Sequence, residues 1–215
     1  MATAQRTKAV VQEQRIVLHN ISWKTYECLL ADHQDASAPR FTYDRGELEI
    51  MSPLREHEQT NRSIASLVEI VAEEQDIEFD NLGSTTFRRQ DMERGFEADS
   101  CFYIQNESAI RGKRFIDLET DPPPDLVIEV DITRSSLDKQ PVFAAIGVNE
   151  VWRYDGGSLT ILLLDGDDYR PSEHSRALPG VTATDVNRFV AAIGSSGRTS
   201  WLRRVRRWAR DLNQR

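Results

Sequence analysis

"PPPDLVIEVDITRSSLDKQ" occupies positions 122 to 140. Leu126, Val127, Ile128 and Val130 are apolar, and three of the four are β-branched, so the centre of the stretch reads as a strand. Three carboxylates interrupt it, Asp125, Glu129 and Asp131, and Lys139 follows. Residues two apart on a strand share a face. The spacings are even, so all three carboxylates project from one side. A glutamate between Ile128 and Val130 needs a partner if the strand is buried, because an isolated charge is costly away from water. Otherwise the strand is half exposed and Glu129 is solvated. The first alternative has the strand buried on one face and opening a polar site on the other.

The chain on either side fits a sheet with helices packed on it. After the strand, "SSLDKQPVFAAIGV" reads as a helix capped by Ser135 or Ser136, with Pro141 in its first turns and Gly147 ending it. "NEVWRYD" and "SLTILLLDGDDYRP" read as further strands. Upstream, "REHEQTNRSIASLVEIVAEEQ" is the clearest helix, with Ile64, Leu67, Val68 and Val71 on one stripe. "ISWKTYECLLADH" is a shorter helix with Ser22 as N-cap, and "RFTYDRGELEIMSP" alternates about "DRG" as a β-hairpin. "IEFDNLGSTTFRR" is a strand pair or one strand bent at Gly83, and "SCFYI" is a strand behind Asp99. Residues 105 to 123 read as a loop. The expected class is α/β with a mixed sheet, together with an N-terminal helix and a β-hairpin. The expected organisation is a flexible segment over 1–19, a domain over 20–193, and a linker with a basic amphipathic helix over 194–215.

Composition narrows the chemistry. The 215 residues carry a net charge of -8, which argues against a broad basic surface for nucleic acid but not against reaching phosphate through metal ions. Cys28 and Cys101 lie in no CxxC or Cys/His cluster, so no structural zinc is expected, and a reducing cytoplasmic setting is. No apolar run suits a signal peptide or a spanning helix. There is no Gly-rich phosphate loop, GxSxG elbow or HExxH helix.

If the strand behind Asp99 neighbours "DLVIEVDI", Asp99 and Glu129 meet at one edge of the sheet. Like charges that close need a cation or a proton between them. Carboxylate oxygens plus water are what Mg²⁺ or Mn²⁺ requires, and such an ion also holds substrate phosphate.

The ordered series "GELEIMSP…H", a helix, the Asp99 strand, "PPDLVIEV" and Lys139 with "GVNEVW" resembles the Uma-type family of restriction-endonuclease-like proteins, within the PD-(D/E)XK nuclease superfamily. The resemblance spans about residues 20 to 170. It implies a restriction endonuclease-like αβββαβ core whose helix runs from Glu56 to about Gln75. It implies that Asp99 and Glu129 bind the metal, which activates water and stabilises the phosphorane, and that Lys139 supports the attacking hydroxide. DNA is the implied substrate and a homodimer the implied assembly. The chain departs from the pattern at Asp131, where the superfamily's lysine usually lies. Lys139, on the following helix, resembles a displaced lysine. Ala98, where the pattern has proline, is a smaller departure.

Other residues divide between site and scaffold. Asp99 can instead bond nearby backbone as a strand-start residue, and Asp125 reads first as one. Asp131 either contacts the metal indirectly or caps the next segment of chain. Lys139 can be an ordinary surface lysine. His57, near the start of the long helix, is placed near the cleft. Glu47 and Glu49 are read as an exposed hairpin face, with Glu47 able to approach the site edge. The C-terminal arginines either bind phosphate or edge a helix packed on a partner. A non-catalytic module binding nucleic acid or a protein partner is the rival reading, motivated by Asp131 and the acidic charge.

Overall fold

Leu126–Val130 forms a strand buried at all five residues, with neighbours on both sides. In the computed structural model, which describes residues 14–33, 36, 38–132 and 137–212, this strand is β8. It runs antiparallel to β7 (Ser100–Tyr103) and parallel to β9 (Glu150–Tyr154). With β4 (Asp80–Gly83), β10 (Leu159–Asp165) and β11 (Asp168–Ser172) they make a sheet ordered β11-β10-β9-β8-β7-β4. A second sheet, ordered β1-β3-β2-β6-β5, comprises β1 (Gln14–Leu18), β2 (Arg40–Asp44), β3 (Glu47–Ser52), β5 (Thr86–Arg89) and β6 (Arg94–Glu97).

The helices among the described residues are α1 (Trp23–Asp32), α2 (Arg55–Glu74), α3 (Glu107–Ile110), α4 (Gln140–Ile146), α5 (Ala183–Ala191) and α6 (Arg198–Leu212). In sequence, α2, β4, β7, β8, α4 and β9 give the αβββαβ core, with β5 and β6 as an excursion into the other sheet.

β8 is covered on both faces, not one. Leu126, Ile128 and Val130 pack against the α2 stripe of Ile64, Leu67 and Val68, and α5 and α6 join the same cluster. Val127, on the opposite face, packs with Val142 and Phe143 of α4. Burial on both faces explains the near-continuous apolar run, since a strand with one wet face would alternate. Phe96 of β6 meets Phe143 edge-on at 4.7 Å between ring centroids, so the second sheet closes over α4. The outer face of that sheet is covered by α1, where Tyr26 stacks on Tyr43 at 5.0 Å.

Local signals behave as their chemistry requires. The Ser22 hydroxyl accepts from Thr25 N and caps α1. Arg45 and Gly46 both take positive φ in the β2–β3 turn, which matches the twist of a tight hairpin. Gly147 ends α4 at φ +91°, with its N–H on Ala144 O and the Val148 N–H on Phe143 O. That is a Schellman closure, for which glycine carries no Cβ penalty. α4 itself is shorter than expected. It begins at Gln140, with Lys139 as the residue immediately before it rather than on it. Ser135 and Ser136 lie outside the described residues.

Two segments that flank the expected 20–193 domain pack onto it. Gln14–Leu18, placed in the flexible N-terminal segment, is an edge strand paired with β3. α6 is not a partner-facing appendage, because Trp201, Val205, Trp208 and Ala209 are buried in the chain's own core. Its arginines complete the docking: Arg206 reaches Glu73 and Glu74, and Arg210 reaches Glu74. Val205→Ala is therefore expected to cost about 2 kcal/mol, as a buried methyl deletion with a residual void. Urea unfolding measures it, and an unchanged midpoint would place α6 outside the cooperative unit.

Candidate functional site

Between β6 and β7 the chain leaves one sheet and enters the other, and Asp99 sits at that crossing. The β7–β8 pairing begins with Ser100 opposite Ile128, and Asp99 is the bend residue just before it, level with the Glu129–Val130 end of β8. Asp99 Oδ2 accepts the Val130 N–H at 2.7 Å and ties the crossing to β8. Asp99 and Glu129 are both buried at this end of β8, and they line separate clefts.

Each carboxylate already faces protein cations. Arg40, at the start of β2, places Nη1 on Asp99 Oδ1 and donates from Nη2 to Glu58 Oε1 at 2.6 Å. His57 Nε2 lies 2.8 Å from the same Asp99 oxygen. The ring nitrogen also lies 3.2 Å from Arg40 Nη1; with a proton on Nε2 it donates to Asp99, and without one it accepts from Arg40. His57 is fully buried near the start of α2, beside Asp99.

Beyond Glu129 the charges alternate. Lys139 Nζ donates to Glu129 Oε1 and lies 3.3 Å from Glu49 Oε1. Arg15 Nη1 donates to that Glu49 oxygen at 3.2 Å, and its Nη2 lies 2.9 Å from Asp131 Oδ1, close enough for an ion pair though poorly aligned as a hydrogen bond. Arg153 Nε donates to Asp131 Oδ2 at 3.2 Å. Burial holds the Glu129 carboxyl above the ordinary glutamate range, and the Lys139 charge offsets this only in part. Burial pulls the Lys139 ammonium down, but Glu129 and Glu49 outweigh it and keep the group above the ordinary lysine value.

Asp125 stands apart. Its Oδ2 accepts from Ile104 N at 2.8 Å and Asn106 N at 2.9 Å, and its Oδ1 from Asn106 Nδ2 at 2.7 Å. It lies four positions before Glu129, roughly 13 Å along the direction of β8. It shares parity with Glu129 but fastens the loop after β7.

Three participants were not picked out by sequence reasoning. Arg15 and Arg40 carry no motif. Glu49 was assigned to an exposed face, yet it is 1% exposed while the Glu47 side chain is 50% exposed and pairs with His19. A signal existed. Met51 shares Glu49's face and is buried, while Leu48 is buried on the opposite face, so the strand is covered on both sides.

Asp99 lines a cleft of about 740 Å³ with Arg40, Asn61, Ser100, Arg62 and Arg198. Glu129 lines a smaller one of about 270 Å³ with Asp131, Lys139 and Arg153. Among the described residues no three His, Cys, Asp or Glu side chains form a metal cage. The hard oxygens of Asp99 and Glu129 still suit Mg²⁺ by type and number, since that ion commonly takes one or two carboxylates and keeps waters or phosphate oxygens. Arg40, His57 and Val130 N occupy three of about four lone-pair positions on Asp99. A cation bound at Oδ1 displaces Arg40 or His57 from that oxygen.

No curated protein matches the chain. A family model matches residues 23–191, from the first residue of α1 to the last of α5, and leaves β1 and α6 outside it. That family is described as "Putative restriction endonuclease", and its match spans most of a chain whose two-sheet fold carries the αβββαβ order of restriction endonucleases. On that match and fold, the chain belongs to the Uma2 family.

Proposed function

We propose that this protein is a Mg²⁺-dependent DNA endonuclease that hydrolyses phosphodiester bonds, with Asp99 and Glu129 as the metal-holding carboxylates. The observation that carries the reading is Asp99, at the crossing between sheets, fastened to the N–H of Val130 next to Glu129, with Lys139 docked on Glu129. A divalent cation held there supplies a Lewis acid for the phosphate and lowers the pKa of water. The chain's own residues do the rest. Lys139 is held in its charged form by two carboxylates, so it acts as a fixed positive charge near the attacking oxygen rather than as a base. His57 and Val130 N orient Asp99. Asp131 is paired with Arg15 and Arg153, which restores positive charge where the superfamily pattern carries lysine. Cutting two strands calls for two sites, so the active form is a homodimer, which sizing by light scattering tests. The setting is the cytoplasm, in keeping with the free thiols of Cys28 and Cys101.

The test is calorimetric titration with Mg²⁺ and Mn²⁺, alone and with an uncleavable oligonucleotide, beside plasmid cleavage. Saturable binding that Glu129→Ala removes is expected, along with cleavage that chelation stops. Undiminished Mg²⁺-dependent cleavage by Asp99→Ala would sink the residue assignment. One observation favours a second reading, a non-catalytic module binding nucleic acid: every carboxylate of the cluster is already ion-paired within the protein. DNA binding with no cation uptake and no cleavage would select it.

A further inference from the structure

Arg40 is 7% exposed, and its donors are unevenly used. Nη1 is on Asp99 and Nη2 on Glu58. Nε is buried without a hydrogen-bond partner. A buried cationic N–H left unpaired costs free energy and calls for an acceptor. The space beside it is the 740 Å³ cleft, whose wall carries two more arginines, Arg62 and Arg198. Its floor is held in place: Ser100 Oγ donates to Asn61 Oδ1 at 2.9 Å, and Asn61 Nδ2 donates to Asp99 O at 2.9 Å. The wall also carries Glu58 and Glu69, so the cleft is of mixed charge; a planar guanidinium on its lining with an unused Nε suits, once it turns, the paired oxygens of a phosphodiester.

Building on the nuclease reading, we propose that Arg40 is an exchangeable cation coupling substrate to metal. Without nucleic acid it neutralises buried Asp99. When a backbone phosphate enters the cleft, Arg40 turns its donors to the phosphate oxygens and releases Asp99 Oδ1 for the divalent ion. No covalent bond changes; one ion pair is replaced by two. The protein thereby avoids two unneutralised states, a bare buried carboxylate and a bare buried guanidinium, each of which is strongly unfavourable. Linkage makes the coupling reciprocal, so phosphate tightens metal binding by the same factor as metal tightens phosphate binding.

The experiment is titration of the full chain with Mg²⁺, with and without a duplex DNA oligonucleotide protected by phosphorothioate linkages. In the wild type the oligonucleotide is expected to tighten Mg²⁺ binding roughly 10-fold or more, within the usual range of such couplings. Arg40→Gln is expected to bind Mg²⁺ alone more tightly than the wild type, bind the oligonucleotide more weakly, and lose the coupling. A residue serving only the fold would not strengthen metal binding when removed. Glu58→Gln, at a part-exposed position that spares the core, releases Arg40's outer arm and is expected to tighten oligonucleotide binding several-fold with the coupling intact. It decides the matter if Arg40→Gln does not fold. Wild-type metal binding and cleavage, with metal affinity and coupling unchanged in Arg40→Gln or oligonucleotide affinity unchanged in Glu58→Gln, would overturn the exchange and leave the nuclease reading standing. No metal uptake by any form, with or without oligonucleotide, would overturn both.

Discussion

Glu129→Gln is expected to lower Mg²⁺-dependent cleavage by about a thousandfold or more, on the scale of losing a key electrostatic group at a reacting centre, while the melting temperature moves by only a few degrees. The two halves of this expectation have separate causes. On the proposed reading, activity depends on the charge of Glu129, because a neutral amide binds Mg²⁺ poorly. Stability depends on shape and on what remains around Lys139. Burial already holds the Glu129 carboxyl above its usual range, so the fold is less averse to a neutral group there than at an exposed position. Lys139 keeps Glu49 at 3.3 Å, so the substitution strands no buried cation. Glu129→Ala differs, because it also opens a void, and breaking a buried pair outright can cost about 3–5 kcal/mol. Melting curves beside plasmid cleavage separate the two effects. Wild-type cleavage by a folded Glu129→Gln would remove Glu129 from the chemistry.

How far this arrangement was legible depends on the range over which each signal acts. β8, α2 and the Gly147 stop are local. Apolar spacing and the need for positive φ act within one element, and the sequence displays both. That the strand after Asp99 neighbours the strand of Glu129 was legible at one remove, from apolar patterning alone. The two-sheet arrangement was not. "IEFDNLGSTTFRR" contains β4 and β5, which belong to different sheets, and the short segment 84–85 between them looks like an ordinary turn. The same holds at 98–99 between β6 and β7, where alternation locates strands but says nothing of which sheet each joins.

The convergence of charges depended on that missing step. Arg15 reaches Asp131 because β1 lies on the edge of a sheet that faces β8 across Glu49. No periodicity within Gln14–Leu18 announces this, and a five-residue strand next to a polar segment resembles loop. α6 failed differently. Its apolar stripe was legible, but a stripe does not say whether its partner is another subunit or the chain's own α2 and α5.

Glu150→Ala is expected to be the most damaging single substitution outside the candidate site. Glu150 opens β9 and is 1% exposed. Its Oε1 accepts from Trp152 Nε1 at 2.6 Å and from Ser175 Oγ at 2.7 Å. Its Oε2 accepts from Arg176 N at 2.7 Å and Ala177 N at 2.8 Å. The carboxylate thus pins the 175–178 segment, including core residue Leu178, against the sheet. Alanine strands four donors at once, at about 1–3 kcal/mol for each that water cannot reach. The sum, at least about 4 kcal/mol, is comparable with the whole stability of many domains. Glutamine does not rescue it, because an amide keeps one acceptor oxygen and turns an NH₂ toward donors. That sets Glu150 against Glu129, where the principal partner is a cation and glutamine preserves the fold. Urea unfolding of both glutamine variants tests the distinction: Glu150→Gln should lose most of its stability and Glu129→Gln little. Equal stability of Glu150→Gln and the wild type would mean that these four hydrogen bonds do not hold the segment.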